Sequence, residues 1–483
     1  MSDQPLFTLE AMAQAMAAEC SGAAPAAVTG ISIDSRTIRP GEAFFAIAGE
    51  NRDGHDFVPA ALAAGAGLAV IGRNRRSAFS RSAPLLLVDD VLDALRALAG
   101  AARARAGAEI VAVTGSVGKT GTKEALRLAL GACGETHASV ASYNNHWGVP
   151  LSLARMPASA RYGVFEIGMN HAGEIAPLTA LVRPHAAIIT TVGPVHLEFF
   201  DSVEAIADAK AEIFLGVEPG GAAILNRDNP HFARLSESAA KASVKHIVSF
   251  GEHPGADARL LNLSLLPNCS TVRASILGAD VAYKLGAPGK HVVLNSLAAL
   301  AAVSLAGADL ALAALALANL KPPSGRGARM NLDVPGGAAL LIDESYNANP
   351  ASMRASLALL GQAPLGPRGR RIAALGDMLE LGPRAAALHR ELAEAVLAQR
   401  VDLVFCCGPL MRALWDALPS ERRGGYAESS QALEGQLIGA VAAGDAVMVK
   451  GSLGSRMGLL VRALQRRFAA RQDEARSMLH EAG

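Results

Sequence analysis

The chain has 483 residues, half of them hydrophobic, which is enough for about three domains with separate cores. Its 45 basic and 44 acidic residues nearly cancel, which argues against nucleic-acid binding because phosphate contacts need a basic excess. Five cysteines without a C-x-x-C pair and a start without a signal-peptide pattern predict a soluble cytoplasmic protein.

Residues 1–107 are predicted to form the first domain. A helical pattern at 9–19 precedes strand-like runs at 28–33 and 43–47, and a polar loop follows at 49–55. Short helices and strands alternate up to residue 90. An Ala- and Arg-rich helix at 91–105 then leads into the next domain.

Residues 108–320 are predicted to form a central domain. Its strand signals lie at 110–113, 162–167, 186–192, 222–225 and 246–250. Because helical patterns lie between several of these strands, we expect a mostly parallel sheet with helices on both faces. The apolar stretch 298–317 is interrupted by Gly307 and Asp309, which predicts two buried helices and no membrane span.

Residues 321–483 are predicted to form a third, Rossmann-like α/β domain after a Pro- and Gly-rich hinge at 322–327. Strands are expected at 339–342, 371–375, 403–407 and 446–449. Helices are expected at 384–398 and 457–467. The predicted fold class is therefore α/β in three domains, the central one of the phosphate-loop type.

The strongest local signal is a glycine-rich turn between a predicted strand and a predicted helix. It comprises Thr114, Gly115, Ser116, Val117, Gly118, Lys119 and Thr120. Backbone N–H groups and a helix N-terminus in this arrangement cradle phosphate, Lys119 supplies a cation and Thr120 a hydroxyl for Mg²⁺. Val113 stands where the full phosphate-loop pattern has its first glycine, so a generic nucleotide switch is disfavoured. The turn predicts ATP or GTP binding, but it does not define the reaction.

Three residues downstream are candidates for metal binding or catalysis. Glu166 ends an apolar strand, where a carboxylate either binds a cation or forms a structural ion pair. His196 follows another strand end, although a lone loop histidine is usually an ordinary surface or core residue. Lys210 lies on a predicted helix, and the residues around it by themselves favour a solvated lysine on a helix face.

Two Asn-rich loops also follow predicted elements. Asn144 and Asn145 belong to the first, and Tyr346, Asn347 and Asn349 belong to the second. Asn side chains can close turns by bonding to their own backbone. At strand ends, however, the same side chains suit a polar ligand-binding loop.

Taken together, these motifs resemble the Mur ligase family over nearly the whole chain. The matching runs are at 34–36, 40–41, 53–55, 114–120, 144–150, 166–168, 193–196, 209–212, 289–295, 343–350, 376–382 and 450–452. Tyr-Asn-Ala-Asn-Pro at 346–350 and Gly-Asp-Met-Leu-Glu-Leu-Gly at 376–382 resemble the members that add a dipeptide.

The resemblance implies roles for individual residues. Mg²⁺, with two ions expected, would be held by Thr120, Glu166, His196 and a carbamylated Lys210. ATP would also be bound by Asn295 at the adenine, Asp343 at the ribose, and Arg329 or Arg326 at the γ-phosphate. Ser35 and Arg36 would contact the UDP end of the substrate.

The implied reaction is ATP-dependent ligation through an acyl phosphate. The free carboxylate of UDP-N-acetylmuramoyl-tripeptide is phosphorylated, and the amine of D-alanyl-D-alanine then displaces phosphate. We expect a monomer whose third domain closes on ATP and helps to bind the dipeptide. The alternatives are a sister Mur ligase or a folylpolyglutamate synthase that adds a single amino acid, or a nucleotide switch without ligase activity.

Overall fold

The computed structural model describes residues 5–49, 52–140, 142–195, 197–266, 268–322 and 325–469. These residues form a three-domain α/β fold in which each domain is built on its own main sheet. The predicted fold class is confirmed.

The first domain has a five-stranded sheet in the order β2-β7-β6-β5-β4, parallel except for the β2–β7 pair. Its elements are β1 (Phe7–Thr8), α1 (Leu9–Met16), β2 (Glu19–Ser21), β3 (Ala27–Val28), β4 (Gly30–Ser32), β5 (Glu42–Phe45), α2 (Val58–Ala63), β6 (Leu68–Gly72), β7 (Leu85–Val88) and α3 (Val91–Arg105). The Thr8 hydroxyl caps α1 by accepting a hydrogen bond from the backbone N–H of Ala11. The helix predicted at 9–19 ends at Met16, because Ala17 takes a left-handed conformation.

The central domain has a nine-stranded sheet in the order β16-β15-β14-β13-β12-β11-β8-β10-β9. Its elements are β8 (Glu109–Thr114), α4 (Lys119–Gly131), β9 (Thr136–Ala138), α5 (Gly148–Ala154), β10 (Tyr162–Glu166), α6 (Ile175–Val182), β11 (Ala186–Ile189), α7 (Val203–Ala211), β12 (Ala222–Asn226), α8 (Phe232–Lys241), β13 (His246–Gly251), β14 (Ala258–Leu265), β15 (Ser270–Ile276), β16 (Ala279–Leu285), α9 (Lys290–Leu305) and α10 (Leu310–Ala316). All pairs from β9 to β14 are parallel, and β14, β15 and β16 add an antiparallel extension.

Two central-domain helices occupy the long apolar stretch, as predicted. α9 is buried along most of its length, and α10 follows it after a turn at Gly307. Across the described ranges, none of the helices combines the length and apolar character needed to cross a bilayer.

The third domain has a six-stranded sheet in the order β17-β18-β22-β19-β20-β21, parallel except for the β17–β18 hairpin. Its elements are β17 (Ala328–Val334), β18 (Gly337–Glu344), α11 (Pro350–Gly361), β19 (Arg371–Gly376), α12 (Ala385–Arg390), α13 (Leu392–Ala398), β20 (Leu403–Cys407), α14 (Arg412–Ala417), β21 (Arg423–Ala427), α15 (Ser430–Ala440), β22 (Ala446–Lys450) and α16 (Gly458–Arg467). The single helix predicted at 384–398 is two helices, α12 and α13, separated at Glu391.

The first two domains share one hydrophobic cluster in addition to clusters of their own, whereas the third domain has separate clusters. Phe7 and Met12 of the first domain belong to the same buried cluster as Leu98 of α3 and Ile110 of the central sheet. Buried residues of the third domain form two further clusters, one on each face of its sheet. Of the described residues outside that domain, Leu197 alone packs against either of them.

Candidate active site

The phosphate loop connects β8 to α4, and two of its glycines are required by the backbone. Gly115 has φ +146°, and a Cβ there would lie 2.0 Å from Thr190 Oγ1. Gly118 has φ +89°, and a Cβ there would lie 2.3 Å from Asn295 Nδ2. Only glycine fits both positions. The N-terminus of α4, which begins at Lys119, is thereby left open to an anion.

A cavity of about 590 Å³ separates the phosphate loop from the third domain. It brings together residues from both domains that the sequence analysis selected separately. These residues are Ser116, Val117, Gly118, Lys119, Asn144, Glu166, Asn295, Arg326, Arg329, Tyr346, Asn347 and Asn349. The site is therefore assembled across the domain boundary.

Glu166 is the buried carboxylate of the site, with 0% exposure at the end of β10. It accepts hydrogen bonds from Thr120 Oγ1 at 2.9 Å and Asn144 Nδ2 at 2.7 Å. Thr120 Oγ1 is also 3.2 Å from Ser142 Oγ. These partners are neutral, and no Lys, Arg or His of the described ranges forms an ion pair with Glu166, so its negative charge is available to a cation.

The chemistry of these groups fits Mg²⁺, which binds carboxylate and hydroxyl oxygens and keeps ligands from water and phosphate. Within the described ranges no three His, Cys, Asp or Glu side chains cluster into a metal site. A Mg²⁺ site completed by nucleotide phosphates does not require such a cluster. His196, the other predicted ligand, lies outside the described residues.

Lys119, half-buried at the start of α4, lines the cavity with this carboxylate, whereas Lys210 is buried on α7 and does not line it. Lys119 Nζ donates to the Gly115 carbonyl at 2.7 Å; burial lowers its pKa, Glu166 raises it, and Arg326 lowers it further. Lys210 is 1% exposed, and burial, aided by the charge of Lys119, lowers its pKa well below the usual value. Lys210 is therefore not a solvated lysine on a helix face. Its environment favours the neutral amine.

The third domain contributes two arginines to the cavity wall. The Arg326 guanidinium lies 4.2 Å from the centre of the Tyr346 ring and reaches Ser142 Oγ of the central domain at 3.4 Å. Arg329 Nη1 is 3.4 Å from Asn268 Oδ1, and burial lowers the pKa of Arg329. In this structure Arg326 is the one hydrogen-bonded to the neighbourhood of Thr120.

The Asn-rich loops combine structural and ligand-facing roles. Asn349 caps α11 by accepting from the backbone N–H of Ser352 at 2.9 Å, and Asn145 accepts from Gly148 at the start of α5. Asn144 faces Glu166, and Asn347 lines the cavity. Turn formation therefore explains Asn145 fully, whereas Asn349 both caps a helix and faces the cavity.

Several predicted residues lie away from the cavity wall. Asp343 is 6% exposed and accepts hydrogen bonds from the backbone N–H groups of Gly325 and Ser345 and from the Ser345 hydroxyl. Arg36 is 81% exposed and pairs with Asp34 at 2.7 Å in the first domain, and Ser35 belongs to the same loop. The structure does not bring Ser35 or Arg36 to the cavity.

One cavity residue received no role from the sequence. Lys450 is 2% exposed at the end of β22; its Nζ donates to the Asn347 carbonyl at 3.0 Å and lies 3.3 Å from Glu344 Oε2. Burial lowers the pKa of Lys450. The rule that selected Glu166, a charged residue ending an apolar strand, also selects Lys450.

Comparison with known proteins gives matches along the chain. Family models described as "Mur ligase family, catalytic domain", "Mur ligase middle domain" and "Mur ligase, glutamate ligase domain" match residues 27–104, 113–303 and 328–453. The UDP-N-acetylmuramoyl-tripeptide–D-alanyl-D-alanine ligase of Escherichia coli is 35% identical, over 90% of this chain and 93% of that protein. This chain belongs to the Mur ligase family. The Bacillus subtilis ligase of the same name is 32% identical, over 90% and 93%.

Solved structures agree with this Mur ligase fold. A crystal structure of MurF from Acinetobacter baumannii has a TM-score of 0.82 and 29% identity, covering 96% of this chain and 99% of that one. MurF of Thermotoga maritima in complex with ADP has a TM-score of 0.75 and 26% identity, covering 92% and 98%. A folylpolyglutamate synthase from Mycobacterium tuberculosis, at 16% identity and a TM-score of 0.60, shares the fold alone.

Proposed function

We propose that this Mur ligase joins D-alanyl-D-alanine to the free carboxylate of UDP-N-acetylmuramoyl-tripeptide, converting ATP to ADP and phosphate. The observation that carries the proposal is the cavity in which the phosphate loop faces the Tyr-Asn-Ala-Asn-Pro loop at 346–350. The name shared by the Escherichia coli and Bacillus subtilis relatives supports the same substrates.

The phosphate loop binds the ATP phosphates through its backbone and Lys119. Asn295 lies against Gly118 and contacts the adenine, and Asp343 contacts the ribose after a change in the third-domain loops. We assign the γ-phosphate contact to Arg326 in preference to Arg329, because Arg326 already reaches Ser142, the neighbour of Thr120. A planar guanidinium suits a transferring phosphoryl group.

Thr120 and Glu166 would hold Mg²⁺, with His196 as the third ligand, and Lys210 would assist at a second ion. When bound, Mg²⁺ neutralises charge on the phosphoryl oxygens. The Glu166 carboxylate is fixed for this task by Thr120 and Asn144 before any ligand arrives. The buried position of Glu166 excludes water that would weaken the electrostatic interaction.

Lys210 is carbamylated in the working enzyme. Its neutral amine attacks CO₂, an N–C bond forms, and the nitrogen releases one proton to solvent. The product is a carbamate anion, which matches the cation site better than an ammonium group would. Burial beside Lys119 supports the proposal because it favours the neutral, nucleophilic amine.

The ligation proceeds in two steps. An oxygen of the substrate carboxylate attacks the γ-phosphorus of ATP, the bond to the β-phosphate bridging oxygen breaks, and ADP leaves. The neutral amine of D-alanyl-D-alanine then attacks the acyl carbon, phosphate leaves, and the nitrogen loses a proton. Phosphorylation is needed because a carboxylate has no acceptable leaving group, whereas phosphate is one.

The remaining parts of the proposal concern the rest of the chain. Residues 1–107 hold the UDP end of the substrate, with Ser35 and Arg36 in contact with it. Residues 108–320 bind ATP, and residues 321–483 close on ATP and bind the dipeptide. The enzyme acts as a monomer in the cytoplasm.

Phosphate release by the purified protein tests the proposal. ATP and Mg²⁺ are supplied with the UDP-linked tripeptide, with and without D-alanyl-D-alanine, and with single amino acids in its place. Release that requires both tripeptide and dipeptide is the expected result. Release with a single amino acid would instead indicate a sister ligase or folylpolyglutamate synthase, and release without any acceptor would indicate a nucleotide switch.

A further inference from the structure

The Gly-Asp-Met-Leu-Glu-Leu-Gly run at 376–382 has no role in the proposed reaction. It begins at the end of β19 and continues to the turn before α12. None of its residues lines the cavity between the central and third domains. Its contacts, however, reach both walls of that cavity.

On one side, the run is bonded to the loop that lines the third-domain wall. The backbone N–H of Leu379 donates to Ser452 Oγ at 2.9 Å, and the N–H of Ser452 donates to the Asp377 carbonyl at 3.0 Å. Ser452 Oγ also lies 3.3 Å from the Ala348 carbonyl. Lys450, two residues before Ser452, donates to the neighbouring Asn347 carbonyl. The 346–349 loop is therefore joined to the 376–382 run by hydrogen bonds through Ser452.

On the other side, the run contacts the central domain. The backbone N–H of Glu198 lies 3.4 Å from the Glu380 carbonyl. Gly382, with φ +59°, packs against the backbone of residues 197 and 198, where an added Cβ would lie 3.5 Å from the Leu197 carbonyl oxygen. The Leu197 side chain packs against both the shared core of the first two domains and a core of the third.

The segment that carries Leu197 is also bonded to the phosphate loop. Ser116 Oγ donates to the Gly193 carbonyl at 3.1 Å, and the backbone N–H of Gly193 lies 3.0 Å from the same Ser116 oxygen. Contacts thus join the phosphate loop to Gly193, residues 197 and 198 to the 376–382 run, and that run through Ser452 to the 346–349 loop.

We propose that Leu197 is a positioning residue. By packing into the third-domain core, it keeps the 346–349 loop at the position, relative to the phosphate loop, that attack by the dipeptide requires. This inference rests on the proposed function. Leu197 touches neither nucleotide nor substrate. Its effect is largest on attack by the dipeptide, which needs the 346–349 loop, and smaller on ATP, because the phosphate loop and Glu166 lie within the central domain.

Two variants and a matched control test the proposal. Leu197→Ala removes the packing from the central-domain side, and Gly382→Ala strains the facing turn while keeping Leu197. Leu392→Ala removes the same atoms from the same third-domain core at a fully buried position on α13. For each protein, the thermal midpoint, the KM values for ATP and dipeptide, and acyl phosphate trapped by hydroxylamine without dipeptide are measured.

Both test variants are expected to raise the KM for the dipeptide by about tenfold, as loss of a packed contact does at an interface. Their KM for ATP rises less than that for the dipeptide, because the phosphate loop and Glu166 lie in the central domain and only Arg326 and Asp343 are proposed to contact ATP from the third. Trapped acyl phosphate persists. Leu197→Met, which keeps an apolar chain of similar volume, restores the dipeptide KM. Leu392→Ala lowers the thermal midpoint without this selective loss.

The same kinetic profile for Leu197→Ala and Leu392→Ala would overturn the proposal, as would equal losses for ATP and dipeptide. If Leu197→Ala does not accumulate as folded protein, Gly382→Ala decides by the same criteria. A wild-type protein that releases no phosphate with the dipeptide would instead remove the proposed function. The two failures are therefore distinguishable.

Discussion

Glycine-to-alanine changes at the two ends of α4 should have opposite effects on the free energy of unfolding. Gly118 precedes the helix at φ +89°, and a Cβ there would lie 2.3 Å from Asn295 Nδ2. Gly131 ends the helix, is exposed, and a Cβ there would meet nothing within 4 Å beyond its own helix. Gly118→Ala is expected to cost about 1–2 kcal/mol for the left-handed backbone. Gly131→Ala is expected to gain about 0.5–1 kcal/mol, as alanine does within helices.

The effect on nucleotide binding follows from the displaced amide. Asn295 must turn away from an alanine at 118, so the contact with the adenine that we propose for it would be lost. We expect ATP affinity to fall by about tenfold or more, the equivalent of one good hydrogen bond and its desolvation. Calorimetric titration with ATP and thermal unfolding of both variants measure the two effects. A Gly118→Ala protein with the thermal midpoint of Gly131→Ala and ATP affinity within about twofold of wild type would refute the reasoning.

Three further predictions follow from the site and the first domain. Lys119→Ala should lower dipeptide-dependent phosphate release by about 10²–10³-fold through lost charge neutralisation, and activity near that of wild type would contradict this role. Lys210→Ala should be inactive but partly rescued by added short carboxylic acids, whereas near-full activity without an additive would exclude the carbamate. A hydrogen bond from the His55 backbone N–H lowers the pKa of Asp53, so Asp53 stabilises the fold above the unfolded pKa of about 4 and that stabilisation disappears as the pH falls through the lowered value. Asp53→Asn should therefore cost more unfolding free energy at about pH 7 than at about pH 3 in denaturant titrations, and equal losses would contradict the assignment.

The central parallel strands could be predicted from the sequence because they are buried on both faces, whereas the less buried parallel edge strands β9 and β21 were missed. The runs at 110–113 and 403–407 lie within β8 and β20, whose apolar residues are almost continuous. The antiparallel strands β14, β15 and β16 were missed. β15 alternates buried and exposed residues, and β14 is mostly exposed, so neither shows the continuous apolar signal used elsewhere.

The site was predictable where the chemistry follows a strand end and unpredictable where it depends on tertiary packing. Glu166 was selected from its position in the sequence, and its hydrogen bonds to Thr120 and Asn144 agree with that choice. The 1% exposure of Lys210 could not be deduced from a lysine on a short helix, because burial depends on tertiary packing that the helix sequence does not contain. The same limit applies to Arg326, whose contact with Ser142 crosses a domain boundary.

The cluster shared by the first two domains has a consequence for how such chains can diverge. A change at Leu98 of α3 alters packing for both domains at once, so the first and central domains are constrained to vary together. The third domain closes its clusters within itself and can exchange side chains, or be replaced as a block, without rebuilding the other core. A new acceptor specificity therefore requires compatibility with the rest of the chain at a few places, the contact around Leu197 and those of Arg326 with Ser142 and Arg329 with Asn268.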